Sequence, residues 1–133
     1  MAVKTRAAKN VGPTGSARLL NLTYMINLVG DRVVIDGKNG GNIRARGMQQ
    51  VRFTRGTDVP RFKIKCTDFE FNEQGDGDDA WAFEGTAPTG WLTSFSRRLR
   101  KPEKGALQLI FKYTIEVDVA GTIAADPIII IER

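Results

Sequence analysis

Leu107-Gln-Leu-Ile-Phe-Lys-Tyr-Thr-Ile-Glu-Val-Asp-Val119 is the stretch that decides the fold. Leu107, Leu109, Phe111, Tyr113, Ile115, Val117 and Val119 alternate with Gln108, Ile110, Lys112, Thr114, Glu116 and Asp118. Successive strand side chains point to opposite faces, so this period of two predicts a long strand with one face in a core. Ala120-Gly121 turns the chain, and Ile123 to Arg133 predicts the return strand. That strand is entered through Asp126-Pro127. Pro127 has no N–H to give to a ladder and belongs at a strand start or on an edge. Ile128 to Ile131 is apolar at every position and is expected to be covered on both sides.

The same period runs through the rest of the chain. Leu20, Leu22, Tyr24, Ile26 and Leu28 alternate with polar residues and Met25, and Gly30-Asp31 ends the run. Arg32 to Asp36 predicts a short second strand, Gly37 to Asn42 a turn. Ile43 to Arg46 and Met48 to Arg55 follow, with Gly47 as a bend between them. Phe62, Ile64 and Cys66 alternate with Arg61, Lys63 and Lys65, then the phase slips to Phe69 and Phe71, as a bulge near Thr67-Asp68 would produce. Trp81 and Phe83 resume the alternation, and the spacing of Trp91, Leu92 and Phe95 allows a short helix. Seven to eight short strands, with turn signals every ~8–12 residues, predict an all-β, immunoglobulin-like antiparallel β-sandwich.

The segment from Phe111 to Ile128, with its Tyr-containing strand, turn and Asp126-Pro127 strand entry, resembles the end of small bacterial immunoglobulin-like proteins, the DP-EP family among them. The resemblance implies the sandwich fold and carries no activity.

The chain has 133 residues, with 20 Lys+Arg, 15 Asp+Glu, no His and one Cys, for a net charge of +5. That length predicts a single folded domain. One cysteine excludes an internal disulfide framework. The lack of histidine excludes Ser-His-Asp and Cys-His catalysis and any His-ligated metal. No phosphate-cradling Gly-rich loop or dinucleotide fingerprint is present. The carboxylates Asp68, Glu70, Glu84 and Asp118 show no spacing that marks a catalytic pair, and Cys66 alternates with Phe62 and Ile64 as a small core residue does. No enzymatic activity and no cofactor are expected.

Charge divides the chain in two. Residues 1–18 form a basic N-terminal arm with Lys4, Arg6, Lys9 and Arg18 and no acid, so +4 of the net +5 lies there. Residues 19–133 form the β-sandwich domain. The arm has no apolar stretch behind its cations, so no secretory signal is expected, and the lone thiol suits a reducing, cytoplasmic location. No apolar run approaches the ~20 residues of a membrane-spanning helix, so no membrane partner is expected.

Two further runs are candidates for binding. Arg97, Arg98, Arg100, Lys101 and Lys104 make a positive loop against one acid, Glu103. Arginine pairs phosphate bidentately, and the nearby Trp91 and Phe95 are rings on which bases could stack. The plainer reading is a solvated loop above two core aromatics. Glu73, Asp76, Asp78 and Asp79 form an acidic, Gly-containing loop, a low-prior Ca²⁺ site. The EF-hand register fails there, because Trp81 stands where Gly is required and Ala87 where the bidentate Glu is required. Arg44, Arg46, Arg52, Arg55, Arg61, Lys63 and Lys65 sit at outer positions of predicted strands, where cations also discourage edge pairing.

The expectation is a non-enzymatic binding or assembly protein. Its basic arm would contact a partner subunit, another copy of the chain included, or another macromolecule. The alternative is a nucleic-acid-binding module using the arm and the 97–104 loop.

Overall fold

The alternation at 107–119 folds as the central strand of one of two facing sheets. The computed structural model describes residues 21–36, 38–66 and 81–133, with the backbone alone at Lys38 and Asn39. Its strands are β1 (Leu22–Val29), β2 (Arg32–Asp36), β3 (Ile43–Arg46), β4 (Gln50–Arg55), β5 (Phe62–Cys66), β6 (Phe95–Arg98), β7 (Gln108–Val117) and β8 (Ile128–Glu132). One 3-10 turn, Lys38–Gly41, separates β2 from β3, and the described residues contain no α-helix. The expected short helix at 91–95 is absent. Leu92 instead exchanges backbone hydrogen bonds with Phe62 (2.7 and 2.9 Å), and Phe95 opens β6.

The first sheet has the order β2-β1-β4-β6 and the second β3-β8-β7-β5. The all-β sandwich architecture is therefore the one the period-two pattern predicts. Four pairings are antiparallel, while β1–β4 and β3–β8 are parallel. Local alternation sets which side chains face inward but does not encode which strands become neighbours.

Inward-facing residues of both sheets form one apolar cluster. Ile26, Val51 and Phe53 of the first sheet and Leu109, Phe111, Tyr113, Ile115, Ile129 and Ile131 of the second are buried. Phe53 meets Tyr113 across the sandwich, with ring centroids 5.8 Å apart. Trp81, Phe83 and Phe95 close one region of the core, with centroids 4.9–6.1 Å apart. Aromatic pairs at such spacings add to simple area burial. Ile128–Ile131 departs from expectation: Ile129 and Ile131 are buried, Ile130 is half-buried and Ile128 is exposed. The strand has one core face and an outer face that neighbouring charged side chains only partly cover.

Loops shield three of the four sheet edges. Ile123 accepts from the Val33 N–H and donates to Asp31 along β2. Ala82 and Glu84 bond the backbone of Arg100 and Arg98 along β6, and Leu92 bonds Phe62 at the start of β5. At the edge of β3, the Gln49 side chain accepts from the Arg46 N–H at 3.1 Å. These contacts block the strand addition that bare edges invite.

Candidate interaction surface

The chemistry available to single side chains is limited. Among the described residues, no three His, Cys, Asp or Glu side chains gather where they could hold a metal ion. Burial pushes the Cys66 thiol up to about 12, against a smaller lowering by the Ala82 backbone hydrogen bond. It stays protonated at neutral pH, and the thiolate is the nucleophilic form. Tyr113 is raised as well, first by burial and then by the charges that Tyr24 and Cys66 would carry. The Ca²⁺ candidates Glu73, Asp76, Asp78 and Asp79 lie outside the described residues. So do the arm residues Lys4, Arg6, Lys9 and Arg18.

The basic run at 97–104 divides into two groups. Arg97 faces the core side of β6 beside Phe95, its guanidinium 5.6 Å from that ring, and it donates to the carbonyls of Glu84 (3.3 Å) and Thr86 (2.5 Å). Arg100 donates to the Trp81 carbonyl at 3.2 Å, stands 3.7 Å from Glu103 and lies over Phe111. These two arginines tie loops to the sandwich. Arg98, Lys101 and Lys104 are exposed or nearly so, with no carboxylate partner among the described residues. Phe95 is only 6% exposed, so its ring is not open to a base. Trp91 is half-exposed, and the Lys63 ammonium covers one of its faces at 4.4 Å.

The outer faces of the two sheets differ sharply. On the second, Arg44 pairs with Glu132 (2.8 Å), Lys65 with Glu116 (3.0 Å) and Lys112 with Asp126 (3.6 Å). Arg61 pairs with Asp118 beside it. Exposed pairs of this kind add only ~0–1 kcal/mol each. They neutralise Arg44, Lys65 and Lys112, while Arg46 and Lys63 on the same face have no carboxylate partner among the described residues.

Among the described residues, the first sheet's outer face carries no ion pair. The register sets Thr23, Arg52 and Ser96 in one row across β1, β4 and β6, with Gln50 beside Arg98 in the next. Gln50 donates to the Ser96 hydroxyl at 2.8 Å, so these two satisfy each other. Arg52 and Arg98 are exposed, and no described acid pairs with them. Toward the opposite corner the face turns apolar. Met25, Val29 and Val34 are 42%, 63% and 39% exposed, and Ile123, bridged to Arg32 at the β2 edge, is 48% exposed. Asp36 stands beside Met25 in the register, and Asp31 lies in the turn below β2. The cations expected at outer strand positions are thus split: Arg52 belongs to this face, while Arg44, Arg46, Lys63 and Lys65 belong to the second sheet.

The arm connects to this same region. β1 begins at Leu22, which pairs with Val51 between Gln50 and Arg52. Arg18 therefore lies four residues in sequence from the Arg52–Arg98 corner. Sequence reading singled out the 97–104 run and missed Arg52 with Arg98 as a unit, because their proximity comes from the β4–β6 pairing. It also missed Met25, Val29 and Val34 as a patch. Their exposure was legible only as apolar residues in the wrong phase of β1 and β2.

Comparison with protein-family models and with curated proteins finds no match to this chain.

Proposed function

We propose that this chain is a non-enzymatic binding and assembly module of immunoglobulin-like type. Its basic arm, with the adjoining corner of the first sheet, contacts an acidic partner subunit or other acidic macromolecule. One observation carries the reading: among the described residues Arg52 and Arg98 have no ion-pair partner where the chain leaves the acid-free arm, whereas Arg44, Lys65 and Lys112 on the other sheet are each paired with a carboxylate. Exposed methionine and arginine beside small apolar residues is the composition of protein-binding surfaces.

Nucleic acid is the second reading, favoured by the exposed Arg98, Lys101 and Lys104. The burial of Phe95 and the tethering of Arg97 and Arg100 weaken it, since base stacking and bidentate phosphate contacts need those groups free. Titrating the chain against labelled poly-glutamate and a mixed-sequence 20-nucleotide single strand separates the two. The leading reading requires poly-glutamate to bind, and Arg52→Glu with Arg98→Glu to abolish it. A much tighter DNA complex, weakening by orders of magnitude between 50 and 200 mM salt, favours the second reading. Binding to neither probe contradicts both.

A further inference from the structure

We infer that the end of the sandwich at which β1 begins docks an acidic segment of another protein that carries large apolar side chains. The inference rests on the binding reading above and names the chemistry of the partner. Backbone hydrogen bonds bring several pieces of chain together at this end. The Gly47 N–H donates to Glu132 and the Arg133 N–H to Leu107, at 2.9 and 3.1 Å. Gly47 and Leu107 thus lie two strand spacings apart, about 10 Å. The Met48 N–H donates to Leu99 at 3.0 Å, and a Cβ at Gly47 would stand 3.0 Å from the Lys101 Cα, so the 99–102 segment runs alongside.

Two apolar side chains are left open there. Leu107 is 81% exposed, the most of any large apolar side chain among the described residues. It keeps the inward phase of Leu109 and Phe111 but precedes β7, and the opposite sheet does not cover it. Met48 is half-buried, and its φ of +70° makes it the one non-glycine residue with left-handed backbone among those described. Glycine takes that conformation freely and would serve the turn alone. Gly47 cannot be exchanged with it, because Pro102, 2.7 Å from a Cβ at 47, already requires glycine there. Backbone held in a sparsely populated region by its surroundings is a mark of ligand clamps.

The free charges around these two side chains are of one sign. Arg46, Lys101 and Lys104 are exposed, and none has a carboxylate partner among the described residues. The acidic side chains of the same segments, Glu103 and Glu132, are engaged by Arg100 and Arg44. A chain with carboxylates around an apolar side chain answers both features, the apolar contact at the centre and the charges at its rim. A phosphate polymer would meet the cations and leave Leu107 and Met48 in water.

Fluorescence anisotropy with two labelled Glu-Ser repeat peptides, one of them with a pair of serines replaced by leucine, tests this on the full chain. The leucine peptide is expected to bind about tenfold tighter, the gain from burying part of one leucine. Leu107→Ser and Met48→Gly should each remove most of that advantage and leave the serine peptide's affinity unchanged. Met48→Gly should melt no lower than wild type, since it releases the left-handed strain. Lys101→Glu with Lys104→Glu should weaken both peptides. Leucine that adds nothing to wild-type binding overturns the inference and keeps the binding reading, while failure of both peptides discards the two together. A leucine advantage that survives Leu107→Ser also overturns it, as does a Met48→Gly variant that melts lower and keeps the advantage. So does a single-stranded DNA that outcompetes the leucine peptide, or self-association of the free chain that Leu107→Ser abolishes, which would put a second copy at this end.

Discussion

Tyr113, in the middle of β7, donates its hydroxyl to the carbonyl of Gly41, 72 residues earlier in the chain. The phenol is fully buried. The bond therefore anchors the turn between β2 and β3 to the strand at the centre of the second sheet. Tyr113→Phe keeps the ring and leaves a buried carbonyl without its donor, which costs about 1–3 kcal/mol. Urea unfolding should show a lower midpoint with an unchanged slope. An unchanged midpoint would mean that the turn is held by other contacts.

Gly41 itself is constrained from the other side. Its φ is +91°, and a Cβ there would stand 2.8 Å from the Ile35 Cβ. Gly41→Ala combines a left-handed backbone with a clash against a buried side chain, and the left-handed conformation alone costs ~1–2 kcal/mol. A drop in melting temperature is expected, larger than for Gly121→Ala, where φ is +80° but nothing lies within 4 Å. Equal losses at the two sites would contradict the steric part of the argument.

Phe111 is fully buried on β7 among the inward residues of both sheets. Phe111→Ala should lower stability by ~3–5 kcal/mol, the range for truncating a core Phe. A loss under ~1 kcal/mol would show that the inward phase of β7 is misassigned.

Alkaline pH should destabilise the fold. In the unfolded chain the Cys66 thiol ionises near its ordinary value of 9.0, whereas in the folded chain it ionises at about 12. Between these values the unfolded state has lost a proton that the folded state keeps. Stability contributed by this group is complete below pH 9 and falls as pH rises toward 12. Tyr113, raised by burial, acts in the same direction. Cys66→Ala should flatten the fall measured by urea titration from pH 8 to 11. Identical slopes with and without the thiol would remove Cys66 from the account. The folded protein should also react slowly with iodoacetamide at pH 8, since thiolate is scarce.

The elements that could be read from sequence are those in which one strand carries its own signal. β7 was legible because its inward residues follow an unbroken period of two, and β2, β3 and β5 for the same reason over shorter spans. The 91–95 stretch misled because Trp91, Leu92 and Phe95 have helical spacing, while their environment is a strand edge and a core. The parallel β1–β4 pairing was invisible, since no local rule reports a partner 20 or more residues away. The make-up of the first sheet's outer face was lost with it. Arg52 and Arg98 are separated by 46 positions and meet only through the β4–β6 ladder. The 97–104 run was overvalued as a cation cluster, because composition cannot tell the anchored Arg97 and Arg100 from the exposed Arg98.

The central claim is that the arm and the corner it grows from carry binding. Fluorescence anisotropy of labelled poly-glutamate, with the full chain and with a chain lacking residues 2–18, tests it most directly. Deletion is expected to leave the sandwich folded, since the described buried cluster, running from Tyr24 to Ile131, already joins both sheets. At 50 mM salt the full chain should bind, and deletion should weaken the complex by at least about tenfold, the loss expected when several charge contacts are removed. Equal affinity with and without the arm, or no binding by the full chain, would contradict the account.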